Sequence, residues 1–508
     1  MLKMVKKKLL SGFIFLTVTA AITAGCSGKN LNNTNNTSEE NVLKSEETFS
    51  KEAQEKIYEE LFDINNKVTI DIDMKETEIA KMEEDFKTYY KIRSKSPIYR
   101  KADKVTITIG DESYEIEDVG VRMKGNLSRT SFYNPLNGIH NMIHLRLSFD
   151  ETFDETEYYG KEAQEWTDDE AKEQRKKRTF AGLDGLEVKW NRNYDNAYVR
   201  QRYSYEMFRN FGVPAPQSSF ANVTLGGDNY GVFFIGEPVD KKFIERYIDE
   251  EDTGGDLYKG GWTYSPADYT LNMTYGVADK DSGDFYNMSL KTNKSTSVHV
   301  DMKNLLDMLN SDSVTKEDFE KYVDVDEVVK FMAVSYFLGN PDDLRNNYNN
   351  HYVYFNKSTG KAILIPYDYD RTLGVTYSYN PDGTGMTEVS PFSENAEALG
   401  QKQNNPLYKY SILENGFFRN EYKEALKEIA DSDWMSPERI ESEYEIVKNN
   451  YEDVAVVEKK LDNVQNDKLG FGLEGEFVYG DDGSNMSVRE YMTRIMNTYN
   501  SVIAQLNE

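Results

Sequence analysis

The sequence predicts an α+β fold with a sheet-rich first half, a helix-rich second half and a cleft between the two lobes. Period-two alternation dominates up to about residue 237, and helical periodicity dominates from 301 onward. The 36 Tyr, 25 Phe and 4 Trp are enough to fill a core in a chain of which 29% of residues are charged.

Residues 1–8 are basic, and 9–25 form a short apolar run that ends in small residues before Cys26, the pattern of a secretory signal. Thr23-Ala24-Gly25-Cys26 resembles a bacterial lipobox, which implies lipidation of Cys26 and anchoring outside the cytoplasm to a cell membrane. A plain signal peptide or a short membrane helix is the alternative. No later apolar stretch approaches the ~18 residues that span a bilayer. Residues 26–50 are polar and low in complexity, and read as a flexible tether.

A helix is expected over 51–62, a strand over 67–74 and a second helix over 75–92. VTITIG (105–110) and SYEIEDVGVRMKGN (113–126) form a hairpin pattern around Gly110 and Asp111. MIHLRLSFD (142–150) and LDGLEVKWN (183–191) are further strands. Between them, 151–178 is highly charged without core periodicity, and reads as a surface insertion. Residues 196–212 form an amphipathic helix stopped at Gly212, and a second hairpin runs over 218–237. The chain is mainly helical over 301–338 and again beyond 415. The expected domain lies at 51–400, with 401–508 a helical extension that completes the large lobe or presents a partner surface.

Charge and composition exclude several functions. The net charge of −28 disfavours nucleic acid and favours basic partners. Cys26 is the only cysteine, so no disulfide can form within the chain and no cysteine-based zinc site is possible. The four histidines are scattered, and none has HExxH spacing.

The segment 339–371, GNPDDLRNNYNNHYVYFNKSTGKAILIPYDYDR, carries the chemistry. HYVYF and KAILIPY pair as a hairpin in which facing residue numbers sum to about 717 or 718, placing Asn350 opposite Asp368. Asp342 and Asp343 arrive at the same open end. Carboxylate and amide oxygens converging in this way suit Mg²⁺, although an Asx-rich loop can also serve only to cap backbone groups.

This stretch, with GVRMKGNLS, RLSFD, FAGLDGLEVKWNRNYDNAYVR and GDLYKG in order before it, resembles the CotH kinase family over roughly residues 65–400. The resemblance implies an atypical protein-kinase-like, two-lobed fold and Mg²⁺-dependent phosphoryl transfer from ATP to the hydroxyls of a protein substrate, basic or Ser-rich. It implies Asp342 or Asp343 as the catalytic carboxylate, and Asn350, Asp368 and, by kinase-like spacing, Asn347 as metal ligands. Lys124, Gly125, Asn126 and Ser128 are candidate phosphate contacts, or simply a tight turn. Arg146 and Lys259 are candidates for the cation that grips the phosphates, and Glu237 for its orienting partner. Tyr258 and Tyr367 read as core aromatics. The ordinary kinase motifs GxGxxG, HRD and APE are missing. A kinase-like surface binding, adhesin or assembly protein with weak catalysis is the competing reading, and AMP transfer is a third.

Overall fold

The computed structural model describes residues 42–44 and 50–507, except 126–128, 135–138, 262–265, 279–285, 376–385, 393–404, 414, 458–460, 462–468, 474–476 and 479–483. Cys26, Asn126 and Ser128 therefore lie outside the described residues, as do the signal and most of the tether. No helix among the described residues is long and apolar enough to cross a membrane.

The architecture is mixed α and β. Helix α1 (Lys51–Phe62) begins at Ser50, whose hydroxyl accepts the Ala53 N–H, and buries Ile57, Tyr58, Leu61 and Phe62 along one stripe. Strand β1 (Val68–Asp73) alternates strictly: Val68, Ile70 and Ile72 are fully buried while Asp71 and Asp73 are exposed. Each such aliphatic side chain contributes about 1.5–3 kcal/mol of transfer free energy. Helix α2 (Glu76–Lys91) follows, burying Ile79 and Met82.

The sheet-rich half is a closed barrel rather than an open sheet. Strands β2 (Arg100–Ile109) and β3 (Glu112–Lys124) form the expected first hairpin. They are followed by β4 (His144–Ser148), β5 (Gly185–Trp190), β6 (Ser218–Leu225) and β7 (Asp228–Gly236). The order around the ring is β1-β2-β3-β4-β5-β7-β6, returning to β1. The β1–β6 pair is parallel, with Thr69 beside Asn222, and the other six pairs are antiparallel. No local turn signal encodes this closure.

The charged segment 151–178 does lie on the surface, but it is pinned to the barrel. Phe153 is buried, Arg175 donates to the Asp118 carbonyl, and Arg178 donates to the carbonyls of Glu117 (2.7 Å) and Asp118 (2.9 Å).

Helix α3 (Arg200–Asn210) connects barrel strands β5 and β6, and after β7 the chain enters a second sheet, made of β8 (Leu257–Gly260), β9 (Tyr275–Gly276), β10 (Met288–Leu290), β11 (His351–Phe355) and β12 (Ala362–Pro366) in the order β9-β10-β8-β11-β12. Helix α4 (Val325–Leu338) is capped by Asp324 and apolar nearly all round, as a helix in the middle of a core must be; it ends at Gly339 with φ +58°.

Helices beyond residue 400 join the core of α3 and α4, while Val457, Leu461 and Leu469 join that of the barrel. Helices α6 (Arg419–Ala430), α7 (Pro437–Ala455) and α8 (Val488–Asn507) contribute Tyr422, Tyr444 and Tyr491 to the cluster that holds α3 and α4. Between α4 and α6 lies the short helix α5 (Leu344–Asn347). Tyr451 of α7 reaches the barrel: its hydroxyl accepts from Val68 N of β1 (2.8 Å) and donates to Phe220 O of β6 (2.7 Å).

Candidate active site

The site forms at the open end of the β11–β12 hairpin. His351 faces Pro366, so facing residue numbers sum to 717. Tyr367 N donates to Asn350 O at 3.1 Å, which places Asn350 opposite Tyr367 and corrects by one residue the expectation that it faces Asp368. Tyr348 (φ +53°), Asn350 (φ +47°) and Asp368 (φ +57°) all occupy the left-handed region at this end. Such a conformation costs an L-residue about 1–2 kcal/mol, so the surroundings must hold it. At Asp368 the N–H donates to the buried Tyr205 hydroxyl at 3.0 Å.

The two neighbouring aspartates separate cleanly. Asp343 is fully buried and caps α5: its carboxylate accepts from Asn346 N (2.9 Å), Asn346 Nδ2 (3.2 Å) and the Tyr369 hydroxyl (3.2 Å). Burial pushes its carboxyl up to about 7. It builds the loop. Asp342 is the partly exposed one. Its carboxylate accepts from Asn347 Nδ2 (2.7 Å), Asn349 Nδ2 (3.1 Å) and Asn350 Nδ2 (3.1 Å), and Asn350 Nδ2 also reaches the Asp342 carbonyl at 2.9 Å. Burial raises the Asp342 carboxyl, the amides of Asn347 and Asn349 oppose this, and the charge of Asp368 adds to the rise. The run of asparagines thus clamps one carboxylate. Burial also keeps His351, next to Asn350, neutral: its imidazole is pushed down to about 4.

Strand β5 supplies two groups not singled out from the sequence. Every residue of Gly185–Trp190 is buried; Leu186, Val188 and Trp190 join the barrel core, while Glu187 and Lys189 fall on the opposite face. Lys189 forms an ion pair with Asp368, donates to Gln201 Oε1 at 3.2 Å, and lies 3.7 Å from Asp370. At Asp368 burial works against ionisation, but the ammonium groups of Lys189, Lys124 and Lys259 outweigh it and hold the carboxyl well below the usual range.

Glu187 forms an ion pair with Lys124, and Arg146 stands directly across the β4–β5 ladder with Nη1 at 4.0 Å. Arg146 Nη2 is also 3.6 Å from Asp240. Lys259 Nζ sits 3.5 Å above the Tyr367 ring and Lys124 Nζ 5.2 Å from it, so Tyr367 is a buried aromatic flanked by two ammonium groups. Burial lowers both lysines; Lys124 adds to the fall at Lys259, and Lys189 adds to the fall at Lys124. Gly125 has φ +107°, a conformation that requires glycine.

Glu237 is placed elsewhere. Its buried carboxylate takes Arg246 Nε (3.1 Å), the Tyr58 hydroxyl (2.9 Å) and Gln217 N (3.3 Å), so the partner of Lys124 and Arg146 is Glu187, not Glu237. The signal for Glu187 and Lys189 was available: two charges at alternate positions of GLEVKW, in a strand whose other residues are apolar.

The donor set can be tested against Mg²⁺ and a triphosphate. Asn350 spends its Nδ2 on Asp342, so the remaining polar atom of its amide is an oxygen, the donor a hard cation takes. Asp368 supplies a carboxylate. No group of three or more His, Cys, Asp or Glu is placed to hold a metal among the described residues. Mg²⁺ held by one or two protein oxygens plus phosphates needs no such cage. Lys124 and Lys259 are close enough to Asp368 to depress its carboxyl, and Arg146 shares Glu187 with Lys124, so cations suited to phosphates accompany these oxygens and the residues present fit both groups.

The family model described as CotH kinase protein matches residues 122–466. The chain is also 26% identical over 281 residues to the inner spore coat protein H of Bacillus subtilis (strain 168), covering 53% of this chain and 70% of that protein. The match begins within β3 and runs through α7, later at both ends than the 65–400 read from the motifs. By the extent of that match, the chain belongs to the CotH kinase protein family.

Proposed function

We propose that the protein is an atypical Ser/Thr protein kinase, transferring the terminal phosphate of ATP to protein hydroxyls with Mg²⁺, and that barrel and helical half act as the two lobes of a kinase-like fold. The observation that carries this reading is the Asp342 carboxylate gripped by three asparagine amides at the same hairpin end as the Lys189-paired Asp368. Bound Mg²⁺ would neutralise charge developing on the phosphates. Asp368 and the Asn350 amide oxygen would hold it. Lys124, Lys259 and Arg146 would bind phosphate oxygens, with Glu187 keeping the first and last in place. Asp342 would orient the acceptor hydroxyl and take its proton. The basic n-region, apolar run and Cys26 support placement as a lipoprotein at the outer face of a bacterial membrane, where the acidic surface favours a basic or Ser-rich protein substrate.

The test is transfer of labelled phosphate from ATP to the protein itself or to a basic carrier protein. Wild type should label, and Asp342→Ala and Asp368→Ala should each lose about 10²–10⁴-fold in rate. Wild-type labelling no greater than that of Asp368→Ala would overturn the reading; an adduct with the mass of AMP would change the group transferred. A second reading, an assembly or adhesin role with weak catalysis, draws on the relative's description as a spore coat protein.

A further inference from the structure

We propose that the buried pair Tyr269–His351 is a positioning device for the Asn349–Asn350 turn and, through it, for Asp342. In its use for catalysis this rests on the phosphotransfer reading above.

His351 is the first residue of β11 and is fully buried. Its Nδ1 lies 3.1 Å from the Asn349 carbonyl oxygen, and its Nε2 lies 3.0 Å from the Tyr269 hydroxyl. A carbonyl can only accept, so Nδ1 carries the hydrogen. On the neutral ring Nε2 must then accept, and the phenol must donate. The bonds run one way, from Tyr269 O–H to His351 to Asn349 C=O.

Both ends are anchored. Tyr269 is fully buried with φ +59°, and its carbonyl accepts from Asn310 Nδ2 at 2.9 Å. Two residues earlier, Ala267 N donates to Tyr348 O at 3.1 Å, so the same segment grips the turn twice. From the other side Gly260 presses on the ring: a Cβ there would lie 2.6 Å from His351 Cε1. At the far end, Asn349 N donates to Asp343 O at 3.1 Å while its side chain donates to Asp342.

Two aromatic hydrocarbons would fill this space without the need to satisfy polar groups in a dry interior. The polar pair instead directs its hydrogen bonds to the backbone of a residue whose side chain grips Asp342. Tyr269 and His351 touch no reacting group in this scheme; they act through Asn349 and Asn350.

Hydrogen–deuterium exchange on the full-length protein, wild type against Tyr269→Phe, tests the device. The variant removes one hydroxyl and keeps the ring. Amides of residues 347–350 should exchange about three- to tenfold faster while the rest of the chain is unchanged. In the labelling assay kcat should fall by a similar factor at unchanged KM for ATP. Unchanged exchange at 347–350, or acceleration spread evenly over the chain, overturns the device. Local acceleration with unchanged kcat in an active wild type overturns its link to Asp342. A wild type that transfers no phosphate sinks the phosphotransfer reading, and the exchange result still decides the relay.

Discussion

On the barrel, Arg146, Glu187 and Lys189 stand on β4 and β5 in strict alternation with core residues, and their positions follow from strand geometry. In the segment 339–350, Asp342, Asn347, Asn349 and Asn350 stand where capping bonds and left-handed residues put them. The barrel contributes cations from a rigid ladder. The loop contributes oxygens from a backbone held against its own preference. Strand-borne charges are secured by pairing with one another, so removing one leaves another buried and uncompensated. Loop-borne groups are secured by whatever packs behind the loop.

The largest effect is expected behind the loop. Gly339 opens the segment at φ +58°, and an added Cβ would lie 1.9 Å from the hydroxyl of the buried Tyr491. Left-handed strain and the displaced ring together should cost Gly339→Ala about 4 kcal/mol, read from urea unfolding. A loss under about 1 kcal/mol would mean that α8 does not brace the loop. On the barrel, Glu187→Gln strips the carboxylate from Lys124 and Arg146 and should cost about 3 kcal/mol by the same measurement. A neutral result there would mean that the ladder charges are compensated some other way.

A pH dependence separates the adjacent aspartates. The carboxyl of Asp343 is raised to about 7 in the folded protein, against about 4 in the unfolded chain. Between those values the folded state holds a proton that the unfolded state has released. The contribution of Asp343 to stability is therefore present below pH 4 and is lost as the pH rises through 7. Asp343→Asn, which stays neutral, should flatten the decline between pH 4 and 7, so that its stability relative to wild type rises across that window. If the variant keeps the wild-type slope, Asp343 is not the group that titrates.

The same comparison explains what the sequence made legible. Individual strands and helices were readable because alternation and caps are local: 51–62, 218–225 and 351–355 lie where the pattern places them. Asp342, Asn350 and Asp368 were readable as a group because one short hairpin brings them together. The barrel was not, because the pairing of β3 with β4 and of β1 with β6 leaves no mark in either strand alone. Asp342 and Asp343 stayed unresolved for a similar reason: what separates them is Tyr369 and Asn346 on one side and three amides on the other. Glu187 and Lys189 were missed because charges at alternate positions of a strand normally face water, and here that face is covered too.

An odd ring of strands has a consequence of parity. Strict up-and-down alternation closes only for an even number, so seven strands force one neighbouring pair to run the same way. That seam joins β1 to β6; the Tyr451 hydroxyl bonds to the backbone of both strands, and the Thr224 hydroxyl donates across it to the Asp71 carboxylate. A chain leaving the ribosome amino end first must therefore carry the unpaired edge of β1 until β6 (Ser218–Leu225) has been made. That delay predicts slow, late-committing folding.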